Sequence, residues 1–415
     1  MSHRRSIQRW GTVAAAAAGL LVSGALQAQI RIAVIDPLSG PFANFGQFGL
    51  KHFQLAAADV NARGGVLGGQ KIEIVPFDGK GSPQESMSAA QAAIGQGIHF
   101  VASSSSNVVT ALVDTAGKVA ARDPARSFLV LNYAGADPEQ TNNGCSFWHF
   151  RFYPHSDMQM DAITQHLAAD TSVKKVFIIG QDYSFGKQVS RAAKEMIAKK
   201  RPDVQIVGDD LHPLGQVKDF APYVARIAAS GADTVITGNY GNDLALLVRA
   251  AKDYGLKTKF YTYYAGGLGA PTAIGESGID RVRMISEWHP NIAGDKARNY
   301  ATAFKQKAAV DFYYLRVNTL LDMLVKAMNT AGTTDPVKVG LALEGMRFQS
   351  DTGEVTMRRD DHQILMPLYI SSFVKADGKT VKYDLEGSGI GTKTDLAVPA
   401  RQTEMPTTCN MRRPV

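Results

Sequence analysis

The stretch Gly180-Gln181-Asp182-Tyr183-Ser184-Phe185-Gly186-Lys187-Gln188 leaves an apolar run and enters a helical one, the setting in which a glycine-rich loop cradles phosphates. Its spacing is wrong for that chemistry. Five residues separate the glycines where a phosphate loop has four, and Gln188 stands where a magnesium-binding Ser or Thr is required. It reads as a strand-to-helix loop. No Gly-x-Ser-x-Gly elbow and no His-Glu-x-x-His pair occurs, and Gly387-Ser388-Gly389-Ile390-Gly391 lacks the following helix and final spacing of a dinucleotide fingerprint. Asp360-Asp361-His362 offers metal-ligand types, but in a polar break between two strands it reads as a solvated turn. His149 and His155 are six residues apart and do not share a helical face. Nucleophile, base and oxyanion donors assemble nowhere, so the expectation is a protein without enzymatic activity, cofactor or metal.

Binding chemistry is better represented, at the ends of apolar runs. Ser103-Ser104-Ser105-Ser106-Asn107 follows one run and opens a helix, so hydroxyls and free backbone N–H groups gather where the helix dipole favours an anion such as a carboxylate. A plain N-cap is the other reading; it needs only one of the five residues. Tyr133-Ala134-Gly135-Ala136-Asp137-Pro138 follows the next run, and its small residues let a ligand approach the backbone. Gly238-Asn239-Tyr240-Gly241-Asn242-Asp243 and Tyr261-Thr262-Tyr263-Tyr264-Ala265-Gly266-Gly267 occupy equivalent ends further on. Each tyrosine alone reads as packing; aromatics beside glycines at repeated strand ends read as walls for an apolar ligand.

The elements that must position these loops alternate regularly. Strands are expected at Ile30–Asp36, Lys71–Asp78, His99–Ser103 and Phe128–Tyr133, with helices at Phe45–Ala62, Pro83–Ile94 and Asn107–Ala121 between them. After Cys145–Phe152 the alternation restarts. Ser156 is read as the cap of a helix to Ala169, followed by strands Lys175–Gly180, Val204–Val207, Thr234–Gly238, Lys259–Tyr264 and Val282–Glu287 with helices Phe185–Lys199, Phe220–Ala229 and Asp243–Tyr254. Helices Asp295–Ala308, Tyr314–Ala331 and Pro336–Met346 follow, then a β-rich end at Glu354–Met357 and Leu365–Tyr383 with a turn at Ala376-Asp377-Gly378. Glu386–Val415 reads as an irregular tail. The pattern predicts two parallel sheets covered by helices, with the last third completing both and the chain crossing between lobes several times.

Composition agrees with a folded, exported protein. The 415 residues are 45% hydrophobic and 20% charged. Arg4, Arg5 and Arg9 precede an apolar run from Gly11 to Val22 and small residues at Ser23, Ala25 and Ala28, so residues 1–28 read as a signal peptide. That run is too short for stable membrane insertion, and no later stretch reaches the 18 or so apolar residues of a span. The net charge of +7 falls to +4 without the three leader arginines, and the basic clusters Lys199-Lys200-Arg201 and Arg358-Arg359 read as solvated helix ends and turns. No nucleic-acid footprint results. Cys145 and Cys409 form no CxxC pair, but an even count in an exported chain makes a bridge between them plausible.

On Pro37-Leu38-Ser39-Gly40-Pro41 with Gly46, Asp59-Val60-Asn61-Ala62-Arg63-Gly64-Gly65-Val66-Leu67-Gly68, Gly135-Ala136-Asp137-Pro138-Glu139 and Asp182-Tyr183-Ser184-Phe185-Gly186, the chain resembles the type I periplasmic solute-binding proteins of ABC importers, in particular the Leu/Ile/Val-binding group. The resemblance implies an α/β fold of two doubly wound parallel-sheet lobes joined by three crossovers, acting as a hinged clamp. The expected division is 29–151 with 289–349, 152–288 with 350–385, and a 386–415 tail. By position, Phe45 would cover the ligand, with Ser105, Ser106 and Asn107 at its carboxylate. Ala134, Gly135, Ala136 and Asp137 would flank it, Tyr183 and Phe185 would wall the second lobe, and Asn239, Tyr240 and Tyr264 would complete the site. The implied partners are a small solute and a membrane permease, for a monomer in the periplasm; a ligand sensor and a secreted α/β enzyme are the rival readings.

Two positions depart from the family pattern. Ala136 replaces the usual carboxylate-binding hydroxyl, and Tyr264 falls where an acidic partner for an α-ammonium is expected. Unless Asp137 or Asp182 substitutes, the expected ligand has a carboxylate or amide and an apolar or aromatic body but no ammonium.

Overall fold

The computed structural model describes residues 29–292 and 294–414, together with Met1. The leader lies outside the described residues. Among them, no helix is long and apolar enough to cross a membrane.

The first lobe is built from β1 (Ile30–Asp36), α1 (Ala43–Ala62), β2 (Ile72–Asp78), α2 (Pro83–Gly95), β3 (Phe100–Ser103), α3 (Ser106–Arg122), β4 (Leu129–Asn132) and β5 (His149–Arg151). Its five strands are all parallel, in the order β2-β1-β3-β4-β5. The central strands are apolar on both faces because helices cover both, so Ile32 and Val34 enter one core and Ala33 and Ile35 the other. Phe152 packs in the first core and Tyr153 already in the second lobe's.

The second lobe holds α4 (Ser156–Ala169), β6 (Lys175–Gln181), α5 (Ser184–Lys200), β7 (Gln205–His212), α6 (Ala221–Ser230), β8 (Thr234–Thr237), α7 (Gly241–Asp253), β9 (Lys259–Thr262), α8 (Ala270–Ile274) and β10 (Val282–Ser286). His155, not Ser156, caps α4: its Nδ1 accepts from Met158 N at 3.3 Å, and Ser156 is the first helical residue. The chain then returns through α9 (Lys296–Ala308), α10 (Leu315–Ala331) and α11 (Pro336–Leu343), of which α10 is buried against α1 in the first core.

The last quarter departs from expectation in four ways. First, β11 (Arg347–Ser350), β12 (Gly353–Met357) and β13 (Ile364–Leu365) form a small antiparallel sheet whose Val355, Met357 and Ile364 pack in the first core. Residues 350–366 therefore belong with the first lobe, and the chain crosses between Met366 and Leu368. Second, β14 (Leu368–Lys375) pairs not with the residues directly after the Asp377-Gly378 turn, up to Tyr383, but with β15 (Ile390–Val398) farther along the chain. The supposed irregular tail thus supplies the edge of a seven-stranded sheet, β15-β14-β10-β9-β8-β6-β7.

Third, beyond β15 the chain recrosses to the first lobe, a fourth passage where three were expected. Thr407 Oγ1 donates to Thr141 O at 2.8 Å, Arg358 Nη1 to Met405 O at 2.5 Å and Arg413 Nε to Glu344 Oε1 at 2.7 Å, and Cys409 is disulfide-bonded to Cys145. Fourth, Asp360-Asp361-His362 is no solvated turn. Asp361 is buried in an ion pair with Arg358, and the His362 ring stacks on Phe150 at 3.9 Å. Nor are both basic clusters wholly solvated: Arg201 and Arg358 are largely buried, each paired with an aspartate.

Candidate ligand-binding cleft

Both lobes present their strand ends to each other by the same local device. A Cβ on Gly46 would lie 2.2 Å from Pro37 O, and one on Gly186 would lie 1.9 Å from Gln181 O, so in each lobe a helix presses on the strand-end loop only because glycine is there. The preceding residues go with them: Phe45 meets Tyr240 of the other lobe, and Phe185 packs on Tyr264 within the second lobe. The loop before α1 is tied down by Asp78, which accepts from Leu38 N at 2.9 Å and Ser39 Oγ at 2.5 Å.

The lobes meet in a closed arrangement. The Tyr240 ring lies 5.9 Å from Phe45 and 6.0 Å from Phe42 of the first lobe, and 5.8 Å from Tyr264 of its own. Tyr264 continues to Phe185 at 5.7 Å, and Phe185 to Tyr183 at 5.9 Å. Ala136 packs in this second-lobe cluster, although it lies on the loop after β4. Ser184 Oγ donates to Asn107 Oδ1 at 2.9 Å, joining the start of α5 to the start of α3. Outside this core a cavity of about 1350 Å³ opens between the lobes, with Phe42, Phe45, Phe48, Lys51, Gly215 and Tyr240 on its walls.

The serine run is used residue by residue. Ser103 Oγ donates to Ile35 O at 2.8 Å, Ser104 Oγ to Asp36 Oδ1 at 2.6 Å, and Ser106 Oγ accepts from Ala136 N at 3.1 Å. Ser105 is the N-cap, yet its side chain makes no capping bond, so capping does not explain this serine. Gly135 N donates to Asn132 Oδ1 at 2.7 Å, and the buried Arg151 donates to Asp137 O at 2.5 Å, fixing the loop that carries Ala134 to Asp137. Burial lowers the Arg151 guanidinium to about 9.

The acidic residues expected to replace a missing ammonium partner are occupied elsewhere. Asp137 Oδ1 accepts from Glu139 N at 3.1 Å, and Asp182 pairs with Lys187 at 3.0 Å on the exposed surface. Asn239 is buried with its Oδ1 against His212 Nε2 at 3.1 Å. Burial raises the phenols of Tyr183, Tyr240 and Tyr264 well above their ordinary range, so they remain neutral hydroxyls.

Asp36, at the end of β1, is buried beneath the serine loop. It accepts from Ser104 and from the Tyr133 hydroxyl, but burial outweighs these bonds and pushes its carboxyl up to about 7. Between about 4 and 7 the folded chain therefore keeps a proton that the unfolded chain releases, and this group's contribution to stability falls as pH rises through that window and levels off above it. Asp36→Asn removes the effect. From pH 4 to pH 7.5 the variant should gain up to about 4 kcal/mol relative to wild type in urea unfolding; parallel pH profiles for the two proteins would refute this.

Phe42 and Phe48, on the cavity wall, were missed from sequence, and so was a buried cluster of Tyr153, Tyr313, Tyr314, Glu287 and Arg316 that packs on Phe45 and Phe48 through Tyr314. Arg316, on the first turn of α10, is only 1% exposed and is bonded through Nη1 to the buried Glu287. Its guanidinium carbon lies 4.0 Å from the Tyr153 ring centre and 4.5 Å from that of Tyr314, which in turn packs against Phe45 at 6.2 Å. Its own helix carried a signal, because Arg316, Thr319, Leu320 and Met323 share one buried stripe.

The family profile of periplasmic binding proteins matches residues 29–379. A Leu/Ile/Val-binding protein homolog from Brucella abortus is 29% identical over 97% of both chains. The closed structure of a leucine-, isoleucine-, valine-, threonine- and alanine-binding protein from Brucella ovis superposes with a TM-score of 0.84 at 27% identity, covering 93% of this chain and all of that one. A solute-binding protein from Rhodopseudomonas palustris BisB5, solved with 3,4-dihydroxybenzoic acid, shares the fold at 18% identity, with a TM-score of 0.76 over 90% of this chain and 98% of that one. The chain belongs to the periplasmic binding protein family.

Proposed function

We propose that the protein captures, in the periplasm, a small carboxylate or amide with an apolar or aromatic body and no α-ammonium, and hands it unchanged to a membrane permease. The observation that carries this is the chemistry where the two lobes meet. The start of α3 offers an unengaged Ser105 hydroxyl and helix-terminal amides for an anion, while Tyr183, Phe185, Tyr240 and Tyr264 line the opposite side without a carboxylate among them. Of the acids on the wall of the interlobe cavity, Asp243 accepts from Gln181 and Gly215, Asp311 pairs with Lys305 and Glu386 accepts from Gly269 and Thr272, and Asp36, Asp137, Asp182 and Glu287 have partners as well. An ammonium buried here would lack a counter-charge, at a cost of several kcal/mol.

Some relatives of this fold are named for branched-chain amino acids and others were solved with benzoate or hydroxybenzoates, so both solute types suit the architecture. Leucine and 4-methylpentanoate differ only in the ammonium and separate the two. Calorimetry should show the acid binding at least about a hundredfold more tightly than leucine. Tight leucine binding with no response to the acid would overturn the proposal. Native mass spectrometry of the purified protein should show an unaltered acid or amide if a solute is retained, and a chemically changed product would favour an enzyme.

A further inference from the structure

The cavity between the lobes is larger than a compact solute requires. At about 1350 Å³ it exceeds the roughly 300–1,000 Å³ of pockets that bury drug-sized molecules, and a short acid fills only a small part of it. Its first-lobe wall is one face of α1: Phe42, Phe45 and Phe48 recur every third residue and all three line the cavity, none of them fully buried. From Phe42 to Lys51 that face runs for about 13 Å at the helical rise. Leu214, Tyr240 and Leu268 bring the second lobe to the same cavity. The result is a slot with rings and leucines along both sides.

Apolar side chains left part-exposed along one groove mark a place where something apolar binds. The charged groups on the wall are mostly engaged already. Lys305 pairs with Asp311 at 2.6 Å, and Lys51 Nζ donates to Ala308 O at 2.8 Å. Asp243 accepts from Gln181 at 2.7 Å and Gly215 N at 2.9 Å, and Glu386 accepts from Gly269 N at 2.7 Å and Thr272 Oγ1 at 2.9 Å. Lys218 is the exposed exception. A strongly polar occupant would have to displace these bonds, whereas a hydrocarbon chain leaves them in place and covers the rings. The slot also adjoins the proposed solute site, because Tyr240 lines it and stands 5.8 Å from Tyr264. Between Phe45 and Tyr240 there is ring contact and no hydrogen bond, so a chain passing along Tyr240 exchanges one apolar neighbour for another.

We propose that this slot takes the far part of the solute. The solute class is then an extended acid or amide whose unbranched apolar chain leaves the start of α3 along Tyr240 and lies against Phe42, Phe45 and Phe48, rather than a compact molecule of the size of leucine or benzoate. Leu214 and Leu268 cover the chain from the other lobe, so they set the preferred length without touching the carboxylate. The slot serves the solute of the proposed function and rests on that reading, but chain length and head group are separate variables and fail separately.

The probes are hexanoate, octanoate, decanoate and decanedioate, measured by calorimetry. Each methylene that enters the slot should tighten binding about threefold, so decanoate should bind at least about fiftyfold more tightly than hexanoate, one molecule per protein. Leu214→Gln and, separately, Leu268→Gln should each cut decanoate affinity about tenfold while hexanoate stays within about twofold of wild type. Adsorption of a long chain elsewhere on the surface would not respond to these two positions. A plateau in affinity beyond hexanoate, or an equal loss for hexanoate and decanoate in both variants, would overturn the assignment. Preference for decanedioate over decanoate would do so too, because it would make the far end an anion site at Lys218. If leucine binds and none of these acids does, the ammonium-free reading fails, and the ratio of 2-aminodecanoate to 2-aminohexanoate decides the slot by the same criterion. Absence of binding in both series overturns both.

Discussion

Replacing Cys145 and Cys409 together by serine is expected to lower the unfolding free energy by about 4–5 kcal/mol, because the disulfide closes a loop spanning 264 positions and the chain-entropy cost grows with loop length. The effect should exceed what the bond's neighbourhood implies. Even without the bond, Thr407 and Thr408 keep their hydrogen bonds to Thr141, Asn142 and Asn143, and Arg413 keeps Glu344, so the native tail need not detach. The loss falls mainly on the unfolded state. Cys145 also closes the segment that begins at the Gly135–Asp137 loop, and Cys409 ends a passage that starts at the edge strand of the second lobe. Urea unfolding of the oxidised protein and of the double-serine variant measures the difference. Equal stabilities within about 1 kcal/mol would show that the tail's hydrogen bonds, rather than the cross-link, hold this passage.

That passage was also the least legible part of the sequence. Strands β1, β3, β4 and β6 are continuous apolar runs because both faces of a parallel sheet are covered, and such runs announce themselves. In contrast, β15 is a sheet edge that places Lys393 and Asp395 toward solvent, so its composition resembled a loop. Asp361 and His362 looked solvated for a similar reason: Arg358 and Phe150 make their burial tolerable, and Phe150 comes from more than two hundred positions away.

The site divides along the same line. Its loops were legible because strand ends in an open α/β sheet carry recurring residue types, and the Phe-Gly pairs at 45–46 and 185–186 mark where helices press closely on those ends. What escaped was the buried cluster that the returning chain packs against Phe45 and Phe48. Nothing local says that the Tyr313-Tyr314-Leu315-Arg316 segment meets Glu287 of β10's trailing end; only the lone arginine on an apolar stripe hinted at it.

Tyr240→Ala is expected to weaken solute binding about a hundredfold while changing the stability of the ligand-free protein by no more than about 1 kcal/mol. The asymmetry follows from what the ring touches. Tyr240 is only partly buried in the second lobe's own cluster, but in the closed arrangement it meets both Phe42 and Phe45 across the cleft and stands beside Tyr264 on the ligand's side. Removing it takes away packing that exists only when the lobes are shut, so the closed fraction falls and the apparent dissociation constant rises by the same factor, in addition to whatever the ring supplies by touching the solute itself. The Ser184–Asn107 bond alone is an exposed interlobe tie and should not compensate. Small-angle scattering at saturating 4-methylpentanoate should show the variant less compact than wild type, with Tyr240→Phe close to wild type because the ring is kept. If the alanine variant closed fully and bound normally, the aromatic bridge would be mere packing, and the clamp would not draw its ligand dependence from it.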